Sequence, residues 1–179
     1  VFGDWSSDVC SSDLPWGNTT YDLVFDPAVP GLCWGAMSNV HDIPNWSFTE
    51  SSISGAGGVC KSTDSGDNWA SSSSGLPSSP VTCIELDPTS PVGNRTLYCA
   101  VYTKGFYKST NNGTSWTAIN TGISLTNSHA FWIRRHPDGT LFASITGYHS
   151  GNTFSPPGAL YRSTNGGSSW TNPIGRAHV

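Results

Sequence analysis

The sequence predicts an all-β fold that is built from three repeated antiparallel units. Two observations favour this fold class. The 179 residues include 20 glycines, 12 prolines and 8 tryptophans but only 11% charged residues, a composition typical of many short strands joined by turns. One octapeptide also occurs three times, as STDSGDNW (62–69), STNNGTSW (109–116) and STNGGSSW (163–170). The sequence contains no convincing amphipathic helical run longer than about two turns, so strands are expected to form the units.

Three strand-like runs precede each octapeptide, and a fourth run begins at its tryptophan. The first runs, each ending in proline, are YDLVFDP (21–27), VTCIELDP (81–88) and FWIRRHP (131–137). The second runs are GLCWGAM (31–37), TLYCAVY (96–102) and TLFASIT (140–146), and the third are GVCKS (58–62), GFYKS (105–109) and ALYRS (159–163). Four short strands in a unit of about 50 residues indicate a β-propeller blade. The sequence therefore predicts an incomplete β-propeller of about three four-stranded blades, at 15–80, 81–129 and 130–173.

The octapeptide resembles the Asp-box, Ser-x-Asp-x-Gly-x-Thr/Ser-Trp, of the BNR-repeat propellers. Sialidases, xyloglucanase-type glycoside hydrolases, sortilin-like receptors and photosystem-assembly factors share this motif, and the resemblance covers about 150 of the 179 residues. The serine and the Asp or Asn are expected to bond backbone amides in a hairpin between the third and fourth strands, and the glycine to adopt a positive φ. The tryptophan is expected to pack beneath the turn. The structural residues predicted for the three boxes are Ser62, Asp64, Gly66, Trp69, Ser109, Asn111, Gly113, Trp116, Ser163, Asn165, Gly167 and Trp170.

The motif is predicted to be architectural rather than catalytic. Asn111 and Asn165 replace the aspartate in two copies. A neutral acceptor is sufficient for the turn, whereas a catalytic acid or a calcium ligand would lose its charge.

The two ends of the chain do not follow the repeat. VFGDWSSDVCSSDLP and IGRAHV resemble translated sequencing adapters, which recur at the ends of metagenomic gene calls, so segments 1–14 and 174–179 are expected to lie outside the fold. Propellers close with about four to eight blades, so the chain is expected to be a fragment. The remaining blades of its parent chain are then the expected partners of its terminal blades.

Composition and cysteine spacing exclude several classes of function. The net charge is −4 and no cluster of Lys and Arg is present, so nucleic acid is not an expected partner. No apolar run approaches the roughly 20 residues of a membrane span. Cys33, Cys60, Cys83 and Cys99 lack the spacing of a zinc site, and neither a metal nor a cofactor is predicted. They are expected to be small buried residues, with a Cys83–Cys99 disulfide across a hairpin as the open alternative.

Ligand-binding residues are expected on the face opposite the boxes. Strand direction alternates within a blade, so the 2–3 and 4–1 connections share one face, and the family resemblance implies that ligands bind there. The first unit has a long 2–3 connection, SNVHDIPNWSFTESSISGAGG (38–58), whereas the second has a short one. The third unit has GYHSGNTFSPPG (147–158), and His129 lies in the preceding 4–1 connection. The candidate ligand-binding residues are His41, Asp42, Asn45, Trp46, Tyr148 and His149.

These residue types would suit a sugar, with Trp46 for stacking and Asn45 and Asp42 for hydroxyls. In the alternative interpretation, His41 and Asp42 bond within the loop and Trp46 plugs it against the blade. Glycoside hydrolysis needs two carboxylates that face a cleft, and Asp42 and Glu50 are the two weak candidates.

The other acids are assigned to turns, to a box, or to first strands, the last being Asp22 and Glu85. The resemblance implies a bacterial, secreted or periplasmic, carbohydrate-active propeller. The alternatives are a non-catalytic propeller that binds proteins, and scaffold blades alone.

Overall fold

Residues 15–16, 19–41, 43, 55–126, 129–150, 153–154 and 157–172 are described in the computed structural model of the chain. This part of the chain contains thirteen strands and no helix. It also contains no helix long and apolar enough to cross a membrane. The all-β prediction is confirmed.

Three antiparallel sheets form the three predicted blades. Blade 1 consists of β1 (Thr19–Phe25), β2 (Cys33–Ser38), β3 (Gly57–Ser62) and β4 (Ala70–Ser71), paired in that order. Blade 2 consists of β5 (Val81–Asp87), β6 (Thr96–Val101), β7 (Gly105–Ser109) and β8 (Thr117–Ala118). In both blades each strand pairs with the next one along the chain, as the repeated runs predict.

Blade 3 keeps the same order but has a reduced outer edge and an added hairpin. Its sheet contains β9 (His129–Arg135), β10 (Leu141–Thr146) and β13 (Ala159–Ser163). A single bridge between Arg162 and Thr171 stands at the place of the fourth strand. Between β10 and β13 the chain forms the hairpin of β11 (His149–Ser150) and β12 (Thr153–Phe154).

Two apolar clusters hold the blades together. The cluster between blades 1 and 2 contains Leu32, Trp34, Ala36, Val59, Val81, Ile84, Leu86, Leu97, Cys99, Val101 and Trp116. The cluster between blades 2 and 3 contains Cys83, Tyr98, Ala100, Phe106, Ala130, Ile133, Leu141, Ala143, Ile145, Tyr161 and Trp170. Because side chains alternate along a strand, the single sheet of blade 2 contributes to both clusters, and burial of its two faces fixes the blade between its neighbours.

The cysteines are buried and unpaired among the described residues, as the simpler interpretation predicted. Cys83 and Cys99 belong to different clusters and so lie on opposite faces of the blade 2 sheet. The disulfide alternative is therefore wrong, since side chains that point to opposite faces cannot be bridged.

A buried ion pair joins the 1–2 turns of blades 1 and 2. Asp26 accepts hydrogen bonds from the amides of Ala28 and Val29, which is the turn role that the sequence indicated. The Arg95 guanidinium donates to both oxygens of Asp26, at 2.7 and 2.8 Å. This bidentate contact from Arg95 lowers the pKa of Asp26.

The three octapeptides, which we call boxes, form the same internally bonded turn. The Ser62 hydroxyl donates to the Asp64 carboxylate at 2.7 Å and accepts from the amide of Gly66 at 2.9 Å. Equivalent contacts link Ser109 to Asn111 and Gly113, and Ser163 to Asn165 and Gly167. The φ angles of the three glycines are 97, 77 and 85° for Gly66, Gly113 and Gly167, in the left-handed region that glycine favours.

The tryptophans of the second and third boxes also hydrogen-bond to the preceding blade, a contact that the sequence did not predict. Trp116 donates its ring N–H to the carbonyl of Ser72 at 2.7 Å, and its amide to the carbonyl of Ser74 at 2.9 Å. Trp170 repeats both contacts one blade later, with acceptors on Ile119 and Thr121. We call this pair of hydrogen bonds the inter-blade latch.

Candidate functional site

The start of each first strand lies beside the end of the second strand of the same blade. The register pairs Thr19 with Ser38 in blade 1, Val81 with Val101 in blade 2, and His129 with Thr146 in blade 3. The 4–1 and 2–3 connections therefore meet at one end of the blades, which is the end predicted for a ligand. We call this end the connection face.

In blade 1 the base of the long 2–3 connection is fixed to the sheet. Asn39 and Ala56 exchange two hydrogen bonds, at 2.9 and 2.8 Å, and so close the neck of the connection. The Tyr21 hydroxyl accepts from the amide of Ile43 at 2.9 Å, and the Ile43 side chain is buried. His41 is exposed between these anchor points. A rigid base of this kind is what a binding loop needs, because it limits the entropy lost when a ligand binds.

The remaining candidates in this connection lie outside the described residues, and their roles stay predictions. They are Asp42, Asn45, Trp46 and Glu50.

In blade 3 the connection face carries the added hairpin. Tyr148 is half-buried just before β11. His149 pairs through its backbone with Phe154, and the position of its side chain is outside the description. The Phe154 side chain is 56% exposed. Sequence reasoning missed Phe154, although it lies in the same insertion as Tyr148 and His149 and is the aromatic residue there with an apolar ring.

A second layer of the connection face lies at the junction of blades 2 and 3. Tyr102 directly follows β6, and His129 is the first residue of β9 rather than a residue of the connection before it. Their rings stack with centroids 4.7 Å apart and an interplanar angle of 23°. Burial raises the pKa of Tyr102 to about 12 and lowers the pKa of His129. Both side chains are therefore neutral at pH 7.

A charged cluster crosses the innermost strands of all three blades. The Arg134 guanidinium on β9 lies 3.1 Å from the carboxylate of Asp22 on β1 and 3.5 Å from that of Glu85 on β5. It also stacks over the Trp132 ring at 4.9 Å. Burial raises the pKa of Glu85. Since both carboxylates bind one guanidinium, the arrangement ties three strands together and does not present a pair of free acids to a substrate.

An open cleft of about 640 Å³ lies beside the first box and reaches the second. Trp69, Asp64 and Asn68 of the first box line it, together with Lys61 of β3 and with Asn112 and Thr114 of the second box. Neither His41 nor Tyr148, the ligand-binding candidates whose side chains are described, lines this cleft. Among the described residues, no group of three or more His, Cys, Asp or Glu side chains could hold a metal ion.

Neither a protein-family model nor a curated protein sequence matches the chain. Among solved structures, it is similar to the GH74 enzyme of Niastella koreensis, with 22% identity and a TM-score of 0.57 over 84% of this chain and 20% of that one. The GH74 xyloglucanase of Xanthomonas campestris gives 16% identity and a TM-score of 0.59 over 88% and 22%. An ancestral GH74 enzyme gives 20% identity and a TM-score of 0.59 over 87% and 20%.

The present chain thus spans about a fifth of the length of these solved structures. The similarity establishes that its three sheets are blades of a β-propeller, which confirms the predicted fold class.

Proposed function

We propose that this chain is part of a secreted or periplasmic bacterial BNR-repeat propeller that binds a glycan on the connection face. The observation that carries the proposal is the gathering of aromatic and polar side chains at this one end of the blades. His41, Tyr148 and Phe154 are at least partly exposed there, and the Tyr102–His129 stack is buried at the same end of blades 2 and 3. The fold similarity to GH74 enzymes supports a carbohydrate rather than another ligand.

The chemistry of the face suits a neutral sugar. Sugar rings offer apolar C–H faces and a rim of hydroxyls, so their sites combine aromatic surfaces with a few oriented polar groups. Phe154 supplies an exposed ring on blade 3, and Trp46 is proposed to supply another on blade 1. Asp42, Asn45 and His149 are proposed to bond the hydroxyls.

If the parent protein is a hydrolase, we propose Asp42 and Glu50 as its candidate acids in this chain. Several other acids of the described residues bind arginine side chains. Asp22 and Glu85 contact Arg134, and Asp26 binds Arg95. Arg95 lowers the pKa of Asp26, so this carboxylate is a poor general acid. Burial raises the pKa of Glu85, but this side chain shares the Arg134 guanidinium with Asp22 and does not form a pair of free acids.

The main alternative, a propeller that binds proteins, predicts an apolar patch on the connection face. The exposed Leu23 and Phe25 lie elsewhere. A Cβ atom on Gly35 would meet Leu23 at 3.1 Å and Trp69 at 3.6 Å, so these side chains share the side of blade 1 that faces away from blade 2. We propose that this side packs against a further blade of the parent chain, which leaves the connection face to the glycan.

Calorimetric titration with xyloglucan oligosaccharides tests the proposed function, since one of the similar structures is a xyloglucanase. Trp46→Ala and Phe154→Ala should each weaken binding about 3- to 10-fold, as expected for the loss of one stacking ring. Their melting temperatures should stay nearly unchanged. Phe25→Ala is the matched control, because this exposed aromatic residue lies at the other end of β1.

Two results would argue against the proposal. If the wild-type chain binds none of a panel of neutral glycans, the carbohydrate function is wrong. If Trp46→Ala unfolds the chain, Trp46 plugs the connection against the blade and is not part of a site.

A further inference from the structure

Three buried polar atoms at the junction of blades 2 and 3 make no hydrogen bond within the part of the chain that the structure describes. They are the Tyr102 hydroxyl and both ring nitrogens of His129. The Thr146 side chain lies near the Tyr102 hydroxyl and acts to lower its pKa, but the two groups do not have the geometry of a hydrogen bond. The two side chains are 0% and 5% exposed, respectively. A buried donor or acceptor without a partner destabilises the folded state, so fold stability alone does not explain why these polar atoms are here.

The backbone around the pair is held firmly in place. The Ser79 hydroxyl donates to the carbonyl of Tyr102 at 2.6 Å, and the Thr146 hydroxyl donates to the carbonyl of His129 at 3.4 Å. The next residue, Thr103, has a φ of 68°, which is unfavourable for a β-branched side chain. A strained residue and unsatisfied polar atoms that are fixed by neighbouring bonds are typical of a functional site.

We propose that Tyr102 and His129 form a subsite that binds two neighbouring hydroxyl groups of the glycan. This inference rests on the proposed function. A neutral imidazole has one donor and one acceptor nitrogen, and a phenol can donate and accept. Adjacent hydroxyls of a sugar offer the same combination, so the pair can satisfy both of them.

Because the pair is uncharged, it favours an uncharged ligand. Neither ring carries a charge at pH 7, and no lysine or arginine of the described residues donates a hydrogen bond to the pair. An anionic sugar would bring its charge into a buried site without a counter-ion, which is costly. The ligand is therefore a neutral sugar rather than a sialic or uronic acid.

The pair is closed off from solvent in this structure, so the glycan reaches it after a local opening at the junction. Such a step lowers the association rate below that of a preformed site. Kinetic binding measurements should therefore show the loss of affinity in Tyr102→Phe mainly as a dissociation rate that increases, because the hydroxyl bonds the glycan only after the junction has opened.

Tyr102→Phe and His129→Phe test the subsite, because each removes the polar atoms and keeps an aromatic ring in the stack. Each variant should lose at least about tenfold in affinity for the xyloglucan oligosaccharide that the wild type binds. Their melting temperatures should stay the same or rise by a few degrees, since a buried polar atom without a partner is removed. Tyr107→Phe is the control, as Tyr107 is a partly buried tyrosine that packs against the cluster between blades 1 and 2.

The outcomes separate the subsite from the proposed function. If the wild type binds, Phe154→Ala weakens binding and Tyr102→Phe binds normally, the subsite is wrong and the function stands. If the wild type does not bind, both fail. If Tyr102→Phe melts several degrees lower, its hydroxyl has a structural partner and the subsite is again wrong. Tyr102→Phe decides alone if His129→Phe does not fold.

Discussion

The first and second boxes have the same turn but different surroundings. In both, the serine hydroxyl accepts from the glycine amide at 2.9 and 3.0 Å. Trp116 of the second box is 5% exposed because blade 1 covers it and accepts both hydrogen bonds of its latch. Trp69 of the first box is half-buried and lines an open cleft.

Neighbouring side chains show the same difference. Leu23 and Phe25 occupy in blade 1 the positions of Ile84 and Leu86 in blade 2, counted back from the shared Asp-Pro step. Leu23 and Phe25 are 42% and 68% exposed, whereas Ile84 and Leu86 are 0% and 7% exposed. The turn of a box is thus a local structure, but the stabilisation of its tryptophan comes from the preceding blade.

Removal of the tryptophan ring should show most clearly how much of the stability comes from the preceding blade rather than from the local turn. Trp116→Ala should lower the free energy of unfolding by about 3–5 kcal/mol, because it leaves a cavity between two blades and removes the latch. Trp69→Ala should cost about 1–2 kcal/mol, since less apolar surface is lost. Urea denaturation of both variants measures the two values. Equal losses would contradict the role of the preceding blade.

A smaller change tests the close approach of the two backbones at the latch. Gly75 has a φ of 89°, and a Cβ atom there would lie 2.4 Å from the Trp116 carbonyl oxygen. Gly66 has a φ of 97°, but the nearest atom to its Cβ would be in the Trp69 ring at 3.7 Å. Both alanine variants bear the cost of a left-handed residue, about 1–2 kcal/mol.

Gly75→Ala should therefore destabilise the chain by about 2–4 kcal/mol, the additional loss coming from displacement of the neighbouring blade. Gly66→Ala should destabilise the chain by only about 1–2 kcal/mol, the cost of the left-handed residue alone. Thermal denaturation of the two variants side by side gives the difference. If they melt together, the contact between Gly75 and Trp116 does not hold the blades at a fixed distance.

The blades could be predicted from sequence because their signals are local. The run TLYCAVY gives β6 (Thr96–Val101), and the octapeptide marks each hairpin. The latch could not be predicted in this way. Its acceptors are the backbone carbonyls of Ser72 and Ser74 for Trp116, and of Ile119 and Thr121 for Trp170. Every residue has a carbonyl, so the side-chain pattern does not show which ones accept a bond from the next blade.

Some residues of the candidate site could likewise be placed from sequence, and others could not. His41 and Tyr148 follow strands, and the alternation of strand direction was enough to place them on the connection face. Tyr102 has the pattern of a core residue, since the polar character of a tyrosine at the end of an apolar run gives no periodic signal. The contact of Arg134 with Asp22 joins residues of first and third blades, and sequence spacing contains no distance between blades.

The last difference between the boxes is their charge. It should change how the free energy of unfolding depends on pH. Asp64 replaces the asparagine of the other boxes, and hydrogen bonds from Asn68 and Ser62 lower its pKa to about 2. Because the folded value lies below the unfolded value of about 3.9, this carboxylate stabilises the fold above about pH 4. The contribution is lost as the pH falls from 4 through 2.

Asp64→Asn should therefore flatten the fall in urea midpoint between about pH 4 and pH 2, while Asn111→Asp should steepen it. This change in stability should be smaller than those of the tryptophan and glycine variants, since the Asp64 carboxylate is fully exposed. Asp138 also has a pKa lowered to about 2 and is present in every variant, so the difference between two curves isolates the box. Identical curves for wild type and Asp64→Asn would mean that the box gains nothing from its charge, and that aspartate and asparagine are equivalent at this position.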